Sequence, residues 1–142
     1  MLYSKILVAY DGSQTAEKAL DSALKLAKLN HYSKVDVIHV FNLPTYFVDT
    51  AVFIPPAAVE DKAQYTEQIT EKIKTVAADL TNIHIEVRSG AITKEILNYA
   101  EETGADLLVV GSRGLNAIGE FVLGSVSHNI VQHAKIPVLV IK

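Results

Sequence analysis

The chain has 142 residues, 49% of them hydrophobic and 20% charged, with a net charge of −3 and no cysteine. Such a length suits one domain, residues 1–142, burying about two thirds of its unfolded surface, and the balance excludes a disordered chain. Disulfides and thiolate metal sites are excluded, the lack of a Lys/Arg stripe speaks against nucleic acid, and the apolar runs are too short to predict a membrane span.

Met1-Leu2-Tyr3-Ser4-Lys5 does not read as a secretory signal, so a cytoplasmic location is the expectation. Lys5 to Tyr10 predicts a first strand, closed by Asp11-Gly12-Ser13, a turn ending in a good helix cap. Ala16, Ala19, Leu20, Ala23, Leu24 and Ala27 then share one helical face through about Asn30, and the alanines let that helix lie close to a sheet. Val35 to Phe41 predicts a second strand, deep in the sheet. From Asn42 to Pro56 the pattern is lost among Pro44, Pro55, Pro56 and the cluster Tyr46, Phe47, Val48 and Phe53. This stretch, extending to Asp61, reads either as a functional lid or partner surface or as an apolar flap on its own domain.

Gln68 to Leu80 predicts a helix that begins as early as Ala57, with Ile69, Ile73, Val76, Ala77 and Leu80 on one stripe. Ile83 to Arg88 alternates apolar with polar, the mark of a strand with one exposed face or at an edge. Thr93 is positioned to cap a helix that presents Ile96, Leu97 and Ala100 inward and ends at Gly104. Leu107 to Val110 predicts a strand buried on both faces, Val126 to His133 a helix with Ser125 as the capping serine at its start, and Ile136 to Lys142 a last strand opening on Pro137. The order β-α-β-α-β-α-β-α-β implies an α/β fold, an open five-stranded parallel sheet of order 3-2-1-4-5 with helices on both faces, Rossmann-like. In that order the loops at Asp11 and Gly111 meet at the reversal point, where such folds bind ligands.

Between the fourth strand and the last helix lies G-x-x-G-x9-G-S: Gly111, Gly114, Gly124 and Ser125. Glycines on a strand-to-helix connection admit a ligand close to main-chain N–H groups, and a helix N-terminus favours an anion, so the stretch reads as a phosphate cradle. The alternative is a loop that needs its glycines only for turning. The net charge of −3 predicts that a bound polyphosphate brings a divalent cation, Mg²⁺, held by phosphate and water oxygens. Asp11 is placed either for ribose or for an Asx turn that caps the helix. Arg113 reads equally as a phosphate partner or a solvated charge, Glu120 as surface, and His31, His39, His84, His128 and His133 are too scattered to form a ligand set.

Ile6 to Ser13, the glycine stretch from Gly111 to Ser125 and Ile136-Pro137-Val138-Leu139-Val140-Ile141 together resemble the universal stress protein family, in its ATP-binding branch. The resemblance covers nearly the whole chain apart from Asn42–Asp61. It implies the adenine-nucleotide alpha-hydrolase-like fold and an ATP-binding homodimer acting in stress responses. On this chain it places the nucleotide against Ala9, Tyr10, Asp11, Val40, Gly111, Ser112, Arg113, Gly114, Gly124, Ser125 and Val126. Asp11 would bond the ribose hydroxyls, the Val40 main chain the adenine edge, and Gly124, Ser125 and Val126 the outer phosphates. The edge strand Pro137–Ile141 would pair with its copy across a two-fold axis, unless its own loops cover it.

No G-x-x-x-x-G-K-[ST] is present, so the lysine of a P-loop enzyme is missing, and the sequence places no carboxylate or glutamine beside an attacking water. A receiver domain fits poorly, because the first strand offers Asp11 alone and the third ends Arg88-Ser89-Gly90. The expectation is a regulatory nucleotide-binding protein without strong catalysis. A slow ATPase or phosphate-transfer enzyme is one alternative; a dimeric interaction module holding another adenine nucleotide, or none, is the other.

Overall fold

Alternation of short apolar runs with one-faced helices leads to a sheet buried on both sides, and the computed structural model, which describes residues 3–113 and 123–142, has that form. Strand β1 (Lys5–Ala9) is followed by α1 (Gln14–Lys28), β2 (Lys34–Phe41), a hairpin of β3 (Tyr46–Val48) and β4 (Ala51–Phe53), then α2 (Pro56–Val76). The chain continues through β5 (Ile83–Ser89), α3 (Ile92–Thr103), β6 (Leu107–Gly111), α4 (Ser125–His133) and β7 (Val138–Ile141). The main sheet runs β5-β2-β1-β6-β7 with every pairing parallel, which is the expected 3-2-1-4-5 once the hairpin is set aside.

Alternate residues of each central strand supply two separate cores. Ile6, Val8, Val35, Val37, Leu107 and Val109 pack under α1 and α2, whereas Leu7, Ala9, Ile38, Val40, Leu108 and Val110 pack under α3 and α4. Ala16, Ala19, Ala23 and Ala27 are all buried, and their small size lets α1 approach the sheet closely. Both outer strands, β5 and β7, are only half buried, in keeping with the polar alternation of β5.

Three local expectations are corrected. Asn42 to Pro56 is not irregular throughout: it contains the antiparallel hairpin, whose two-residue turn starts at Asp49 in the left-handed region (φ 57°). A three-residue strand is too short for periodicity to reveal. Ala91, not Thr93, occupies the cap of α3, and Gly124, not Ser125, occupies the cap of α4. Gly104 does end α3 in the left-handed conformation (φ 68°), and Ser13 caps α1 by accepting from the Ala16 N–H at 3.2 Å.

The starts of β1 and β6 are bracketed by Asp106. Its carboxylate accepts from Ser4 N, Ser4 Oγ and Lys5 N, each at 2.9 Å. Burial alone would raise its pKa, but these donors outweigh burial and hold it below the ordinary carboxylate value. The carboxylate thus fixes the register of the two strands that carry the ligand loops to the opposite end of the sheet.

Candidate functional site

Between β1 and β6 the strand order reverses, and connections there leave in opposite directions, opening a crevice beyond the carboxyl ends of the strands. A cavity of about 280 Å³ occupies it. Its floor is apolar: Ala9, Ile38, Val40 and Val110 from the strands, with Ile92 and Ile96 from α3. Its polar rim is Asp11, Ser13, Arg113, Gly124, Ser125 and Ser127, so a flat apolar group at the floor and an anion at the rim are what the arrangement can hold.

Tyr10 lies buried at the end of β1 and contributes to the wall. Asp11 is partly exposed at the mouth, and one oxygen, Oδ1, accepts from Ser13 N at 2.9 Å. That is the Asx turn of the capping alternative, and it uses only one of the two carboxylate oxygens. Gly12 has φ +85°, a conformation that favours glycine, and a Cβ there would also press on the Tyr65 hydroxyl at 2.6 Å.

Gly111 lines the cavity, yet the space its side chain would fill is taken by α1: a Cβ would stand 2.5 Å from Thr15 Oγ1 and 2.8 Å from the Thr15 carbonyl carbon. Its glycine identity is therefore explained by helix packing. Ser112 is buried and is not among the cavity residues. Its N–H donates to Ile141 O at 2.7 Å, and its carbonyl accepts from Gly124 N at 2.8 Å and Ser127 Oγ at 2.9 Å. Arg113 lies at the rim, and its carbonyl accepts from Thr15 Oγ1 at 2.5 Å and Ser13 Oγ at 3.4 Å. The Ser112 carbonyl thus ties the end of β6 to the start of α4. Gly114 and Glu120 fall outside the described residues.

Gly124 borders the cavity as the cap of α4, with φ −61° and ψ 160°, a conformation open to any residue. Having no side chain, it cannot cap the donors of the first turn, and Ser125 and Val126, which also line the cavity, stand at the start of that turn. The Gly124 N–H itself donates to the Ser112 carbonyl, so it does not have the free anion donor expected of it. Among the described residues no group of three His, Cys, Asp or Glu is placed to hold a metal.

A model of the universal stress protein family matches residues 2–142. The chain belongs to the universal stress protein family. It is 35% identical over 150 residues to universal stress protein YxiE of Bacillus subtilis, covering 99% of this chain and 100% of that one. Universal stress protein UspA from Lactobacillus plantarum has the same fold, with a TM-score of 0.86 at 25% identity over 100% of this chain and 99% of that one. A universal stress protein solved in complex with cAMP is 29% identical, with a TM-score of 0.67 over 100% of this chain and 98% of that one.

Sequence reasoning missed four side chains of this universal stress protein site. Thr15 and Ser127 bond the carbonyls of Arg113 and Ser112, Tyr65 donates to the Asp11 carbonyl at 2.8 Å, and His39 meets the Tyr10 carbonyl at 2.9 Å. All four act on carbonyls distant in sequence, and no spacing signals that. No described helix is long and apolar enough to cross a membrane.

Proposed function

We propose that this universal stress protein is an ATP-binding regulatory protein, a cytoplasmic homodimer whose occupancy or dimer geometry reports stress or energy state, with at most slow hydrolysis. The observation that carries the reading is an apolar floor facing a helix N-terminus whose cap has no side chain. The first-turn N–H groups of such a helix favour a phosphate oxygen, each helix end contributing about 0.3–1 kcal/mol toward an anion. Ser125 and Val126 hold the outer phosphates by main-chain N–H and the Ser125 hydroxyl, Asp11 offers its second oxygen to the ribose, and Val40 offers its main chain to adenine. Ala9, Tyr10, Gly111, Ser112 and Arg113 complete the wall and its support, with Gly114 on the same connection. Mg²⁺ rides on the phosphates, coordinated by phosphate and water oxygens. The 29%-identical relative in complex with cAMP supports an adenine nucleotide as the ligand class.

Mass spectrometry of the denatured, freshly purified protein tests this: co-purified ATP is the expected result. ADP alone together with turnover would favour the slow ATPase or phosphate-transfer reading, and a protein free of any nucleotide would favour the interaction module.

The sheet edge supports the dimer reading. Leu108 N donates to Pro137 O and Ser112 N to Ile141 O, so odd-numbered residues of β7 face β6 and Val140 directs its N–H outward. Pairing of two such edges about a two-fold axis would satisfy these groups. Val140→Pro deletes an outward donor while sparing the β6 ladder, and is expected to convert the dimer to monomer in sedimentation equilibrium; a dimer that persists unchanged removes β7 as the interface.

A further inference from the structure

Ladder parity on β2 exposes an irregularity at the cavity. Val35 N donates to Asn82 O and Phe41 O accepts from Gly90 N, so odd-numbered residues of β2 bond toward β5. Ile38 O accepts from Tyr10 N at 2.9 Å, so even-numbered residues bond toward β1. Val40 therefore directs its N–H and C=O to the β1 side, where β1 has already ended at Ala9 and the cavity begins. In a parallel ladder continued by one step, the Tyr10 carbonyl would take the Val40 N–H. Instead, the Tyr10 carbonyl meets His39 Nδ1 at 2.9 Å.

His39 lies on the opposite face of β2 from the cavity, 4% exposed, with its ring 5.9 Å from that of Tyr65 in an edge-on arrangement and 6.3 Å from that of Phe41. A carbonyl only accepts, so Nδ1 carries the proton. Nε2 is buried with no hydrogen-bond partner. Tyr65 completes the grip on the next carbonyl by donating to Asp11 O at 2.8 Å. Two contacting rings, one from β2 and one from α2, thus hold consecutive carbonyls at the end of β1.

We propose that His39 is a positioning residue for nucleotide recognition. By capping the Tyr10 carbonyl it diverts that group from the β2 ladder, leaving the Val40 donor and acceptor unpaired at the cavity floor for a base that presents one acceptor beside one donor. The proposal rests on the nucleotide reading for its ligand, but the hydrogen bond it assigns stands without one. The Nδ1–H donates to the Tyr10 carbonyl in the neutral ring and in the imidazolium alike, so the cap does not depend on the charge of the ring. Burial lowers the imidazole pKa, the Tyr10 carbonyl and Asp11 raise it, and Lys62 lowers it, with the net shift downward. The groups facing the ring are Tyr10 and Asp11 from the loop after β1, and Lys62 and Tyr65 from α2. Burial and Asp11 keep the Tyr65 phenol neutral, and burial, Tyr65 and Asp11 do the same for Tyr10.

The test uses ATP titrations of wild type, His39→Leu and His39→Asn at neutral pH. His39→Leu orphans the Tyr10 carbonyl and is expected to bind about tenfold more weakly at neutral pH. His39→Asn restores a donor at the Nδ1 position and brings affinity back to within about twofold, because the capping bond is remade. Wild-type affinity in the Leu variant, or an Asn variant as weak as the Leu variant, overturns the assignment.

Nitrogen NMR of the imidazole and amide exchange at Gly12 and Ser13 supply a readout that needs no nucleotide. The Nδ1–H tautomer and faster exchange in the Leu variant are expected even if no protein in the series binds ATP, in which case the ligand reading fails and the capping bond stands. An Nε2–H tautomer, or unaltered exchange, sinks the capping bond itself.

Discussion

Gly124→Val is expected to abolish measurable ATP binding, a loss of about a hundredfold or more, while the protein stays folded. The argument starts from the backbone. At φ −61° and ψ 160° the residue sits where valine sits as easily as glycine, so conformation does not select the glycine. Its N–H is engaged by Ser112 O, and its carbonyl accepts from His128 N at 2.9 Å and Ser127 Oγ at 3.0 Å, which fixes the cap in place. Valine is a poorer cap than glycine, at a cost of about 1 kcal/mol or less, equivalent to a few degrees in Tm. What it adds is bulk bordering the cavity at the N-terminus of α4. Calorimetric titration beside a thermal melt checks both halves, and undiminished ATP affinity in the folded variant would remove α4 as the phosphate site.

The second large effect falls on stability. Gly111→Val is expected to destabilise the fold by about 3 kcal/mol or more, lowering Tm by roughly 10 °C, because added bulk in a closely packed interior forces backbone to move. The contact is unforgiving: beyond Thr15 Oγ1, the built Cβ lies 2.8 Å from the Thr15 carbonyl carbon and 2.9 Å from its Cβ. Thr15→Ala removes the hydroxyl but neither of those carbons, so the double variant should recover only a small part of the loss. A Gly111→Val protein that melts with the wild type would refute close packing of α1 on β6. The two glycines thus serve different ends in one motif, one letting a helix approach a strand and the other leaving room beside a helix terminus.

How much of this was legible in the chain depends on the range of the interaction. The Ser13 cap, the left-handed stop at Gly104 and the one-faced alanines of α1 were readable because each is decided within a few residues. The hairpin in the Asn42–Pro56 segment was not, because strands as short as Tyr46–Val48 and Ala51–Phe53 carry no measurable period, and their Tyr46, Phe47, Val52 and Phe53 are exposed rather than alternately buried. Thr93 and Ser125 failed as caps because a residue type favoured at a helix start does not fix which turn begins the helix.

The amino-acid order by itself determined the alternation of strands and helices, the parallel sheet that alternation demands, and the meeting of the Asp11 and Gly111 loops at its reversal. These follow from hydrophobic period and short-range steric rules, which act along the chain. Only the tertiary structure decided why Gly111 must be glycine, that Ser112 closes the return of the chain, and that His39 takes the carbonyl a continued ladder would have used. Each of those is a contact between groups far apart in sequence, set by how closely two elements pack.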